Sequence, residues 1–196
     1  LPLPLGGGEG EEKKPQANWR LADTEWMNIK RKLILATILL SVVPLFAADV
    51  GKRHKETAGG FSFCPPQGWA VRTLPGMKYS IAAGPASKGF APNINVVDET
   101  AEMPLAAYVD ANKATLSKAF KSYKEVGKSD FKTASGLKGT RLLIQSDQNG
   151  TLLKQAFYFF AGTGDKKFVV TCSALAGGGA EIDEVFEASL KTFVLD

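Results

Sequence analysis

Two apolar runs in the last third of the chain constrain the fold most. Leu152 to Phe160 reads LLKQAFYFF and Lys167 to Ser173 reads KFVVTCS, with Gly162-Thr163-Gly164-Asp165 between them. Short runs rich in aromatic and β-branched residues, joined through a glycine-containing connector, form a β-hairpin. FYFF and FVV lack polar alternation, so both strands are buried on both faces and lie at the centre of a sheet. Asp147-Gln148-Asn149-Gly150 just upstream is a second hairpin turn, because Asn-Gly tolerates positive φ. It joins Leu152 to Phe160 to another strand, Leu137 to Ser146, itself preceded by a strand-like stretch, Tyr123 to Thr133.

The remaining elements follow from periodicity. Phe61 and Phe63 alternate as in a strand. Pro65-Pro66 and Gly68 then turn the chain, and Trp69 and Val71 resume the pattern. Lys78 to Ala83 and Asn93 to Val97 are further strands. Met103 to Phe120 is a helix with Pro104 in its first turn and Leu105, Val109, Asn112, Leu116 and Phe120 on one stripe. Gly177-Gly178-Gly179 is a flexible connection to a second helix, Ala180 to Phe193. Its first-turn acids suit the helix dipole, and Ile182, Val185, Phe186, Leu190 and Phe193 form its apolar stripe. The layout is α+β, an antiparallel sheet with two helices laid on it. Trp69, Phe157, Phe159, Phe168, Val170, Phe186, Leu190 and Phe193 are the expected core.

Met27 to Ala48 has the grammar of a secretory signal peptide. Lys30, Arg31 and Lys32 precede the apolar run Leu33 to Val43, Pro44 breaks it, and Ala47 and Ala48 are small residues suited to cleavage. From Leu33 to Phe46 the run is 14 residues, short of the roughly 20 that span a bilayer. The alternative is an uncleaved anchor, since Leu45 or Phe46 falls where a smaller residue is usual. The expected organisation is an upstream or disordered leader at 1–26, a signal peptide at 27–48, a flexible segment at 49–60 and one domain at 61–196. The expected location is exported, periplasmic or secreted, with no stable membrane span after cleavage.

Little in the exported part has the look of reaction chemistry. From Asp49 onward 18 Lys and Arg face 15 Asp and Glu, a net charge of about +3, too mild and too scattered for nucleic acid. The one basic cluster, Lys113, Lys118, Lys121, Lys124, Lys128 and Lys132, is a solvated helix face or a patch for an acidic partner or anionic lipid heads. The single histidine, His54, sits in the polar leader beside Lys52, Arg53 and Lys55, where it is expected to face solvent. A Ser-His-Asp or Cys-His pair is therefore not expected. Asp98, Glu99 and Glu102 form a tight acidic group at a helix start, able at most to recruit a hard cation weakly. Cys64 and Cys172 would close a loop of about 108 residues if paired; each also suits a buried apolar position. Trp69, beside a Pro-Pro-x-Gly turn, is either core or the mouth of a groove. No catalytic residue, cofactor or metal site is expected. Trp69, Lys118, Lys121 and Lys124 are the candidate binding residues.

The order of short motifs resembles the Mog/PsbP-like superfamily of PsbP/DcrB-like exported domains. The likeness runs from F-S-F-x-P-P-x-G-W at Phe61 to Trp69, through NINVV and the helix from Pro104. It continues with Gly139, Arg141 and Ile144, then Gln155 to Phe159, the K-x-F-V-V-T-C run ending at Cys172, and Ser189 to Phe193. The resemblance implies an α/β/α sandwich and a non-enzymatic binding or accessory role at the cell envelope, with an unidentified envelope protein as partner. Histidines linked to metal binding in the photosystem branch, and the lipoprotein cysteine of another branch, have no counterpart here. The alternative reading is a small-ligand carrier or enzyme using a pocket near Trp69.

Overall fold

The structure, a computed structural model, describes residues 48–196, in which ten strands and two helices follow one another. The leader and nearly all of the signal-type segment lie outside the described residues. Strands β1 (His54–Glu56), β2 (Phe61–Phe63), β3 (Ala70–Arg72), β4 (Ile81–Ala83) and β5 (Asn93–Thr100) precede helix α1 (Leu105–Ala119). Strands β6 (Lys121–Lys132), β7 (Lys138–Gln148), β8 (Thr151–Ala161) and β9 (Lys166–Leu175) follow, then helix α2 (Glu181–Lys191) and strand β10 (Val194–Leu195).

Seven strands form one antiparallel sheet in the order β3-β4-β5-β9-β8-β7-β6, and β8 and β9 lie inside it as their apolar runs require. The Asn149-Gly150 turn has φ of 55° and 83°, the left-handed pair that a two-residue hairpin needs. Successive residues of β8 serve opposite faces. Phe157 and Phe159 pack with Leu142, Ile144 and Val169 against Tyr108 and Val109 of α1. Tyr158 and Phe160 pack with Phe168, Val170 and Cys172 against Phe186 and Leu190 of α2. Each helix thus covers its own face of the sheet, which is why FYFF carries no polar position.

The structure corrects the reading of 49–60 as a flexible segment. β1 pairs antiparallel with β2, which pairs on its other side with β10 to make a separate three-stranded sheet. Backbone bonds from Gly51 to Pro65 (2.7 Å) and from Gln67 to Asp49 (3.0 Å) anchor the segment, and Arg53 reaches both Ser62 Oγ and the Thr192 carbonyl. His54 is accordingly half-buried rather than solvent-facing. Its ring meets Phe63 edge-on at 6.0 Å and its Nε2 lies 3.7 Å from Glu56. The Met103 to Phe120 helix starts two residues later than expected, because Pro104 is the N-cap. Seven of the eight expected core residues are buried; Trp69 is only half-buried.

Candidate functional site

An opening lies at one end of the seven-stranded sheet. A groove of about 440 Å³ lies between the β4–β5 connection, the start of β8, the end of β9 and the glycine-rich entry to α2. The β4–β5 connection supplies one wall with Pro85, Phe90 and Pro92. Its tip is the tight turn Ser87-Lys88-Gly89-Phe90, closed by reciprocal backbone bonds of 2.9 and 3.0 Å between Ser87 and Phe90. Lys88 and Gly89 take φ of 50° and 78° there, the left-handed conformation that a two-residue turn demands and a lysine seldom adopts.

The opposite wall is Leu152, Leu175 and Ile182, and the floor is Ala174 and Ala176 with Gly177 and Gly178. The loop holding them is tied down by bonds from Ala176 to the Leu152 carbonyl (3.0 Å) and from Gly178 to that of Leu175 (3.0 Å). Lys154 fastens its far side, with Nζ 2.7 Å from Asp183 Oδ2 and 3.3 Å from the Gly179 carbonyl. Gly177 to Gly179 is therefore a hydrogen-bonded wall segment rather than a loose connection. The polar side chains lining the groove are Ser87 and Lys88. Such a surface can hold an apolar group with one charged end; it does not bring an acid, a base and a nucleophile together.

The four candidate residues named from the sequence do not form one site. Trp69 does not line the groove. Its ring packs edge-on against Phe186 at 5.8 Å and presses so closely on Gly84 that a Cβ there would fall 2.7 Å from the indole. Lys121 and Lys124 lie in β6 at the opposite edge, six strand intervals from β3, roughly 25–30 Å at about 4.8 Å per strand. Nor do the three lysines share a face. Lys118 is in the last turn of α1. Tyr123 and Glu125 flank Lys124 in β6 and both turn toward α1, Tyr123 into its cluster and Glu125 to Lys113 at 2.5 Å. Lys124 between them points to the other face. Lys128 of the same cluster pairs with Asp110 at 2.8 Å.

The acidic group is also dispersed. Asp98 and Glu99 lie within β5, not at a helix start. The Asp98 side chain is 4 % exposed and is held by Lys78 and by Lys166 at 2.9 Å. Burial alone would raise its pKa, but the hydrogen bonds from Lys78 and Lys166 outweigh it and bring the carboxyl to about 2. Lys166 also donates to the Gly59 carbonyl at 3.1 Å, so it joins the small sheet to the large one. Glu99 accepts the hydroxyl of Tyr108, whose pKa is raised by burial and by that bond. Among the described residues no three His, Cys, Asp or Glu side chains gather as a metal site would require. Both cysteines are free, and burial pushes the Cys172 thiol well up, where it is unreactive.

A pH effect follows. Asp98 is deprotonated more easily folded than unfolded, so its contribution is complete above about pH 5 and disappears as pH falls through 4 toward 2. A drop from 3.8 to about 2 is worth roughly 2 kcal/mol at 1.36 kcal/mol per unit. Because Lys78 is 60 % exposed, screening reduces this to about 1–2 kcal/mol. Denaturant titrations of Asp98→Asn and the native chain are expected to differ at pH 6 by a gap that narrows as pH falls below 4 and closes only below about pH 2. A gap independent of pH would show that the ion pairs are not its source.

No protein-family model matches the sequence, and no curated protein matches it. Solved structures do match in shape. Cyanobacterial PsbP (CyanoP) from Synechocystis is 13 % identical with a TM-score of 0.57, over 81 % of this chain and 99 % of that one. LpqN, involved in cell envelope biogenesis of Mycobacterium tuberculosis, is 16 % identical with a TM-score of 0.55, over 75 % and 86 %. The Saccharomyces cerevisiae Ran-binding protein Mog1p is 11 % identical with a TM-score of 0.53, over 75 % and 96 %. At such identities the likeness concerns the fold, and the chain has the Mog/PsbP-like fold. Among the described residues no helix is long and apolar enough to cross a membrane.

Proposed function

We propose that this is an exported accessory protein of the cell envelope that works by binding rather than by turnover. The groove at the sheet end carries the reading: about 440 Å³ of apolar surface, with Ser87 and Lys88 its only polar side chains, suits capture and not catalysis. The signal-type segment at 27–48 supports export. The shared fold with a protein of mycobacterial envelope biogenesis and with CyanoP supports an accessory role in that compartment. The two helices on opposite faces of the sheet are consistent with the α/β/α sandwich of that fold. A carrier or enzyme centred on Trp69 is less well supported, because the indole packs on Phe186 and Gly84 and does not line the groove.

One experiment tests both parts. Expressed with residues 1–48 in place, the protein is expected in the envelope fraction with an N-terminus between Ala47 and Val50. Immobilised, it is expected to retain a partner or lipid from native envelope extract, and Gly177→Trp is expected to lose it. A Cβ at Gly177 meets nothing within 4 Å, so a side chain there starts in open space at the groove lining, and an unchanged melting temperature of the variant is the control for its fold. Retention on Gly177→Trp equal to that on the native protein would remove the groove from the reading, and a cytoplasmic product would remove export.

A further inference from the structure

Resting on the reading of the groove as the binding site, we propose that its ligand is a single-chain anionic amphiphile, a medium-length fatty carboxylate. The tail lies along the apolar floor and the carboxylate meets Lys88 at the rim.

Charge decides the head group. Lys88 is exposed and has no carboxylate within 4 Å among the described residues. The other lysine beside the glycine loop, Lys154, is already engaged by Asp183. No acidic side chain lines the groove. The opening thus offers one uncommitted positive charge and no negative one. Lys88 also sits at φ 50°, where glycine or asparagine would be less strained, so its side chain is displayed at a conformational cost.

Shape and polarity decide the tail. The floor of Ala174 and Ala176 offers no side-chain donor or acceptor to satisfy a sugar or a nucleobase, whose polar groups would lose their water unpaired. Leu152 is 49 % exposed at the groove's edge, apolar surface that an alkyl chain would cover. The volume is at the lower end of the range for small-molecule sites, which fits one chain better than a two-chain lipid. The open side of the groove leaves the head group in water beside Lys88, so no buried charge has to be compensated.

The test is calorimetric titration of the full exported protein with decanoate, decyltrimethylammonium and decyl maltoside, each below its micelle concentration. Decanoate is expected to bind one to one, with a negative heat-capacity change and about fivefold more tightly than the cationic probe, a preference that shrinks in salt. Lys88→Asn keeps a residue that tolerates positive φ, so it removes the charge without straining the turn. It is expected to weaken decanoate by about two- to fivefold, bring the three probes together and leave the melting temperature unchanged. Gly177→Trp is expected to abolish binding of all three. Equal affinity for the anionic and cationic probes, or decanoate binding indifferent to Lys88→Asn, would overturn the carboxylate assignment. If no amphiphile binds but Gly177→Trp still loses the partner captured from envelope extract, the ligand class is wrong and the groove remains the binding site. If Gly177→Trp changes neither readout, both readings fall.

Discussion

Phe159→Ala is expected to lower the stability of the protein by about 3 kcal/mol or more, read as a shift of the denaturant midpoint at unchanged slope. Phe159 is fully buried in the centre of the sheet, with Tyr108 of α1 edge-on at 6.0 Å and Phe157 stacked at 6.4 Å. Its neighbours belong to paired strands and to the helix above them, so they have little freedom to collapse into the space left behind. Val97→Ala, on the same sheet but 45 % exposed, is the control and is expected to change stability by less than about 0.5 kcal/mol. A loss at Phe159 no larger than at Val97 would mean that α1 does not press on the sheet in solution.

Gly139→Val is expected to be at least as damaging, for the opposite reason. Gly139 lies in β7 opposite Phe160 of β8 and Phe131 of β6. A Cβ added there would run into the Phe159 carbonyl and fall 2.6 Å from the Phe160 ring. The carbonyl belongs to a central strand and cannot rotate away, so the ladder itself has to open. About 3 kcal/mol, or failure to accumulate as folded protein, is the expected outcome. Gly127→Val in β6 separates this from a general intolerance of glycine replacement. A Cβ at Gly127 meets nothing within 4 Å, and a β-branched residue favours a strand, so this variant is expected to be neutral or slightly stabilising. Equal losses in the two variants would refute the steric account.

The long elements and the short strands β2 to β4 were legible in the sequence, whereas β1 and β10 were not. β8, β9 and α2 are set by residues within their own span: the unbroken FYFF and FVV runs, and the stripe Ile182, Phe186, Leu190. β1 and β10 are three and two residues long and owe their existence to β2, which lies between them in the sheet and far from β10 in the chain. No local pattern distinguishes His54–Glu56 from the charged coil it resembles. The groove was hidden for the same reason. Its walls come from residues near 85–92, 152, 174–178 and 182, and only the glycines stood out, where their small size mattered more than the flexibility they suggest. The lysine cluster shows the converse error. Six basic residues close in sequence look like one patch, yet β6 alternation and the pairs Lys113–Glu125 and Lys128–Asp110 disperse it.

The three-stranded sheet bears on the order of events during synthesis. β2 emerges early, but one of its two edges has no partner until Val194 and Leu195 have been made. Phe61 meanwhile has no Phe193 to stack on, a pair whose rings lie 5.6 Å apart in the finished fold. Contacts spanning more than 130 residues close slowly, so in a nascent chain one edge of β2 stays unpaired until β10 has been made. The pair made by Val194 and Leu195 is thus the one that locks the β1–β2 hairpin in place.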